Sequence, residues 1–379
     1  MRDQIGLRWR AAYAPVRHLD PVLIAATVLL VVFGLVAIFS AKHQQLVQQG
    51  LPTDLYVTRQ LLAFGVGLVG MAAAASIDYR RIRSFTPLLY AGSLGLLLLV
   101  LLIGDETKGA TSWITFGGFQ FQPSELAKIA VILGLAAALA DRRGRGLSSV
   151  LLVLAIVTPP LVLIVLQPDP GTGSILLFVA FVALLVQGTQ GRWLALLAAA
   201  GVTALWGVLR LGLLEAHQQD RLTSFLNPGD NALARSINYN TDQSLIAIGS
   251  GQFTGKGLFQ GTQTNLAYVP ENHTDFIFTV IGEEFGFLGG MLLLGLFVVV
   301  IYRCLRVAGG ARDRFGLLVA SGVAGLLSFQ LFVNVGMAVG IMPVIGIPLP
   351  FVSYGGTSLI ATLMMVGLVL NIHMRRFGS

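Results

Sequence analysis

VLIAATVLLVVFGLVAIF, Val22–Phe39, runs eighteen residues without a charge, and its reading settles what kind of chain it opens. As a helix it rises about 27 Å, close to the ~30 Å of hydrocarbon in a bilayer. Arg2, Arg8, Arg10 and Arg17 precede it in the manner of a signal peptide. The run is too long for a signal's apolar centre and lacks a small-residue cleavage site, so it reads as a first membrane span. Comparable runs follow, giving spans near 21–40, 59–76, 86–104, 124–140, 148–166, 172–187, 192–211, 274–302, 315–340 and 352–373. Composition agrees: the 379 residues are 55% hydrophobic and 11% charged, with mean hydropathy +0.78, whereas soluble domains carry about 25% charged residues. The expectation is an all-α polytopic membrane protein of about ten transmembrane helices, forming a single domain over 1–379.

The net charge of +7 and pI near 9.9 would suit a nucleic-acid binder. The basic residues instead occupy short loops between apolar runs, which is a topology signal. With the N-terminus inside, the inner segments hold Arg80, Arg81 and Arg83, then Arg142, Arg143 and Arg145, then Arg192, then Arg303, Arg306, Arg312 and Arg314, and last Arg375 and Arg376. Every alternate loop is basic, so both termini are expected in the cytoplasm. The single cysteine, Cys304, excludes an internal disulfide, and the five histidines show no zinc-ligand spacing. One connection is long and polar, 212–273, a large outer loop between helices 7 and 8. Loops of that length are commonly functional. It holds an apolar stretch, QSLIAIGSG (Gln243–Gly251), suited to the membrane surface, and the glycine-rich TGKGLFQGTQ (Thr254–Gln263).

YVPENHTDFIFTVIGEEFG (Tyr268–Gly286) sets Asp275 between that loop and a long apolar run. A carboxylate there is costly unless solvated, paired or used. Helix capping by Thr274 or Asp275 is the plainer reading. Glu283 and Glu284 follow about 12 Å deeper along a helix, too far to share a centre with Asp275. Glu125 and Lys128, three apart in the fourth span, share a helical face and can pair, either at the outer interface or toward a wet interior. Asp169, within QPDPGTG (Gln167–Gly173), has the look of a turn and helix start. Outer cations are Arg59, Lys108, Lys128, Arg210, Arg221, Arg235 and Lys256. Several converging on Asp275 would combine a base with a pyrophosphate site.

PENHTDFIF (Pro270–Phe278), QSLIAIGSG, RLTSFLNP (Arg221–Pro228), FQPSELAK (Phe121–Lys128), QPDPGTG and NVGMAVGIMPVIGIPLPFVSYGGTS (Asn334–Ser358) together resemble the SEDS family of shape, elongation, division and sporulation proteins. They match in order over most of the chain. GATSW (Gly109–Trp113) and the short termini are most similar to its elongation, RodA, branch. Pro170 and Asn227 depart from the family pattern and touch loop conformation only. The resemblance implies a ten-helix peptidoglycan glycosyltransferase of the bacterial cytoplasmic membrane that polymerises lipid II beside a class B penicillin-binding protein. It implies that Asp275 is the essential acid, acting as general base with inversion at the donor sugar. Glu125, Lys128 and Asp169 match further family charges. Arg59, Arg221, Lys256, His273 and Thr274 are the other candidates for binding substrate or supporting catalysis. No cofactor is certain; a divalent cation could share the pyrophosphate, but no acidic cluster marks its ligands.

Two rival functions remain, and the first would need the same interior charges. A lipid II flippase would place its substrate mid-membrane between inverted repeats; no repeat is visible, and the richest motif lies at the surface. A non-catalytic scaffold for a transpeptidase is the other. SYGGTS (Ser353–Ser358) and Asn334 read more simply as helix packing and a helix-to-helix hydrogen bond.

Overall fold

The computed structural model describes residues 18–107, 110–116, 119–142, 146–210, 232–266 and 268–376. The helices in chain order are α1 Pro21–Gln48, α2 Leu55–Ser76, α3 Tyr79–Ile103, α4 Pro123–Ala140, α5 Leu147–Leu166, α6 Pro170–Gln187, α7 Gly191–Arg210, α8 Ala232–Ser250, the short α9 Thr262–Asn265, α10 Ile277–Gly309, α11 Arg314–Ala338 and α12 Gly356–Arg375. Among the described residues nine are long and apolar enough to span a bilayer: α1 to α6 and α10 to α12. Helix α7, apolar over 191–203, is the tenth candidate. The all-α polytopic expectation therefore holds, with one addition. Between α3 and α4 a small antiparallel sheet, β1 Asp105–Thr107, β2 Ala110–Phe116 and β3 Phe119–Phe121, pairs in the order β1-β2-β3 with Ile114 opposite Phe121.

Helices α4, α11 and α12 are the most buried spans, and α2 and α3 the least. In lipid, close backbone approach replaces the hydrophobic effect as the source of helix association. Helix α12 packs most extensively on α2, and a methyl at Gly367 would overlap the Met71 carbonyl.

The helix ends form two faces. On one lie Arg80, Arg83, Arg303 and Arg375, joined to aspartates across helices (Arg303 Nη2 to Asp20 Oδ2 at 2.5 Å, Arg375 to Asp78 at 3.4 Å, Arg80 to Asp313 at 3.8 Å, and Arg83 to Asp141), and Arg314, which donates to Arg142 O at 3.0 Å. On the opposite face lie the starts of α2, α4, α6, α10 and α12. Gln60 on α2 donates to Ser353 O at 3.1 Å and accepts from Gly355 N at 3.2 Å. Ser112 donates to Gln167 O at 3.1 Å, fastening the sheet to the end of α5.

Helix α10 is broken at Gly286, where φ is 64° and ψ −158°. The segment 252–257 repairs the break with main-chain bonds: Lys256 N to Glu283 O and Gly257 N to Glu284 O, both 3.0 Å, and Phe287 N to Gln252 O at 2.9 Å. A Cβ at Gly251 or Gly255 would overlap the carbonyls of Gly282 and Glu284, which explains the glycine-rich loop. The stretch 243–251, expected on the membrane surface, closes α8 with two faces: Ser244 and Ala247 are buried against the bundle, and Leu245 and Ile246 are exposed. Its Ser244 Oγ lies 2.5 Å from Thr279 Oγ1 and donates to Ala338 O at 2.7 Å.

Candidate active site

Asp275 lies just ahead of α10, in a turn where Thr274 N and Phe276 N both donate to Glu271 O, at 3.2 and 3.1 Å. The helix itself starts at Ile277 with no side-chain cap. Thr274 does not cap it: its hydroxyl donates to Glu271 Oε2 at 2.9 Å. The half-buried Asp275 carboxylate rests against Gly346, where a built Cβ would stand 3.5 Å from Oδ2. Gly346 has φ +71°, and the neighbouring Ile345 carbonyl is so close to Gly171 that a Cβ there would lie 2.8 Å away. The α6 start, the 345–347 segment and Asp275 are thereby stacked on one another.

Three successive carbonyls around the acid each accept one hydrogen bond. His273 O takes Tyr354 N at 2.9 Å, Thr274 O takes Ser353 Oγ at 2.5 Å, and Asp275 O takes Asn334 Nδ2 at 2.8 Å. Asn334 and the SYGG run, read in the sequence as packing elements, are main-chain supports of the acid. Their partners are up to 81 residues away, so no local pattern reveals them.

An aromatic and cationic cluster adjoins the turn. The His273 ring meets Tyr56 at 5.2 Å and Tyr354 at 5.7 Å, and the two tyrosines meet at 5.0 Å. The positive charge of exposed Arg59, beside Tyr354, opposes the burial that pushes that phenol above its ordinary range. Lys42 Nζ stands 5.9 Å from the Tyr56 ring centre, at cation–π distance, and donates to Gln45 Oε1 at 2.8 Å. Sequence reasoning passed over Lys42; its signal was a cation near the end of the first apolar run.

Glu125 and Lys128 form an ion pair at 2.8 Å with side chains 3% and 2% exposed, so the pair is interior and not at the surface. Asp169 caps α6, accepting from Thr172 N at 2.9 Å and Thr172 Oγ1 at 2.8 Å, with Gln122 Nε2 at 3.3 Å. Lys256 pairs with buried Glu283 at 2.8 Å and also bonds Thr262. Glu283 takes further bonds from Gln263 N, Thr264 N and Thr264 Oγ1, so Lys256 is tied into the repair of α10. Arg221 and Lys108 lie outside the described residues, as do the side chains of Arg210 and Arg235. Among the described residues no three His, Cys, Asp or Glu side chains gather to hold a metal ion. An apolar cavity of about 580 Å³ opens between α2, α3, α4 and α12, lined by Gly70, Ala73, Leu88, Leu96, Leu133 and Leu368.

The family model spanning FtsW, RodA and SpoVE, described as cell cycle protein, matches residues 21–377. The chain belongs to the SEDS family. It is 37% identical to a probable peptidoglycan glycosyltransferase FtsW of Geobacter sp. (strain M18), over 95% of this chain and 98% of that protein. It is equally, 37%, identical to the peptidoglycan glycosyltransferase MrdB of Escherichia coli (strain K12), over 95% and 94%. Among solved structures it superposes on a chain of a peptidoglycan synthase complex that coordinates polymerization and crosslinking, with TM-score 0.79, 34% identity and 95% and 99% coverage. Thermus thermophilus RodA follows with TM-score 0.71, 34% identity and 95% and 98% coverage. This SEDS chain is a multi-pass peptidoglycan glycosyltransferase, and its similarity to elongation and division members is even.

Proposed function

We propose that the chain polymerises lipid II into β-1,4 glycan strands during cell elongation, with Asp275 as general base. The observation that carries this reading is the placement of Asp275: a carboxylate outside the span, half-buried, on the face opposite the arginine-rich one. By the positive-inside rule that face is extracytoplasmic and both termini are cytoplasmic. The described parts of the outer loop, 232–266 and 268–273, then lie on the outer face, within one domain over 1–379.

In the reaction, the 4-hydroxyl oxygen of the acceptor GlcNAc attacks the donor MurNAc anomeric carbon. The bond from that carbon to the pyrophosphate oxygen breaks with inversion, and undecaprenyl pyrophosphate leaves. Asp275 accepts the hydroxyl proton. Arg59, whose charge acts on Tyr354 beside the ring of His273, meets the leaving pyrophosphate in this reading, and Lys42 adds charge to the same cluster. Lys128 and Glu125 act as a buried neutralised pair, holding α4. The apolar cavity between α2, α3, α4 and α12 suits the isoprenoid tail. A class B penicillin-binding protein crosslinks the product; a relative's place in a synthase complex supports that partnership.

Purified chain with its transpeptidase partner is given lipid II while transpeptidation is blocked, and glycan strands are measured. Strands from wild type and none from Asp275→Asn, with folding and partner binding intact, are expected. An active Asn variant sinks the base; vesicle translocation of lipid II without strands would favour the flippase, and neither activity the scaffold.

A further inference from the structure

We infer that Asn334 and Ser353 are positioning residues of the glycosyl transfer, acting through the main chain on either side of Asp275. The inference rests on the reading of Asp275 as the base. A side chain leaves its Cα in a direction set by the two peptide planes that meet there. At Asp275 those planes carry the carbonyls of Thr274 and Asp275, and each is held by a different buried donor. Ser353 Oγ, 5% exposed as a residue, donates to the first at 2.5 Å, and Asn334 Nδ2, fully buried, donates to the second at 2.8 Å.

Both donors are themselves anchored to one further segment. Asn334 Nδ2 also donates to Ile347 O at 2.8 Å, using its two hydrogens, and Ser353 Oγ also accepts from Leu349 N at 2.8 Å. The segment 345–349 is therefore the common reference. Gly346 within it sits against the carboxylate, and Gly171 at the start of α6 backs it from behind. Rotating either plane would swing the carboxylate off that contact, and reactions between held groups are sensitive to displacements near 1 Å. Neither donor reaches the carboxylate by a bond of its own, so the effect falls on the rate of the chemical step and not on the affinity for lipid II.

The test measures kcat and KM for lipid II with full-length chain and its partner, using Asn334→Ala, Ser353→Ala and Asp275→Asn, with melting temperature followed in parallel. Asn334→Ala is expected to lower kcat about a hundredfold and Ser353→Ala about tenfold, with KM within about twofold and the proteins still folded. An inactive Asp275→Asn beside wild-type kcat in both other variants overturns the positioning role and leaves the base in place. A raised KM at unchanged kcat also overturns it, since the residues would then be touching substrate. An active Asp275→Asn removes the base, and the positioning role with it. Should Asn334→Ala fail to fold, the Ser353→Ala result decides, because it removes one oxygen from a separate loop.

Discussion

The two faces of the bundle begin their helices differently. On the arginine-rich face α1, α3 and α11 each start at an aspartate that caps the helix: Asp20 accepts from Leu23 N, Asp78 from Arg80 N and Asp313 from Gly316 N. Each also takes an arginine, respectively Arg303, Arg375 and Arg80. On the site face α2, α4, α10 and α12 all start without a side-chain cap, and only α6, through Asp169, has one. The arginine-rich face closes three of its helix starts with its own charges, while α5, after Gly146, has no side-chain cap. The other leaves the first N–H groups of four helices without a side-chain acceptor, although Asp54, Glu125 and Asp275 lie at or beside three of those starts, and fastens its loops by bonds to carbonyls. The first solution stabilises; the second keeps charge and main chain in place for a substrate.

The contrast can be broken experimentally. The largest effect is expected at Asp275: the Asn variant should lose about 10²- to 10⁴-fold in polymerisation with little change in melting temperature, and a comparable loss of stability would show the acid to be structural. Glu283→Gln should lower stability by about 3 kcal/mol, because it leaves Lys256 without its charge partner and breaks a buried network at the α10 break; unchanged thermal melting would show that the main-chain repair suffices. Gly346→Ala combines a left-handed φ with a methyl beside the carboxylate, and should cost about 1–2 kcal/mol while depressing activity more than stability. A variant melting lower at full activity would separate Gly346 from the site. Asp78→Ala, on the other face, should cost about 1 kcal/mol through its cap, with strand synthesis unchanged. Smallest is Arg83→Ala: its exposed pair with Asp141 is worth less than about 1 kcal/mol, and high salt should erase the difference.

The spans, the side on which their basic loops gather and the position of Asp275 were legible along the chain because each is a local property: a run of apolar residues, a cluster of arginines, a change from polar to apolar. The same local reading placed the pair Glu125 and Lys128 on one helical face. It left open whether that pair is wet or buried, which depends on what α11 and α12 bring against α4. It also counted Lys256 among the pyrophosphate ligands, since nothing in the chain order shows that the segment 252–257 folds back on α10 and delivers that lysine to Glu283.

Periodicity and charge can say which residues enter the membrane and where a carboxylate meets water, because lipid and water act on each segment separately. Which donors hold the carbonyls of 273–275, why Gly346 and Gly171 lack side chains, and which cations remain available to a substrate are properties of segments far apart in the chain. Those were decided only when α11 and the 345–355 segment packed over the start of α10, where hydrogen bonds of fixed length leave one arrangement of the main chain.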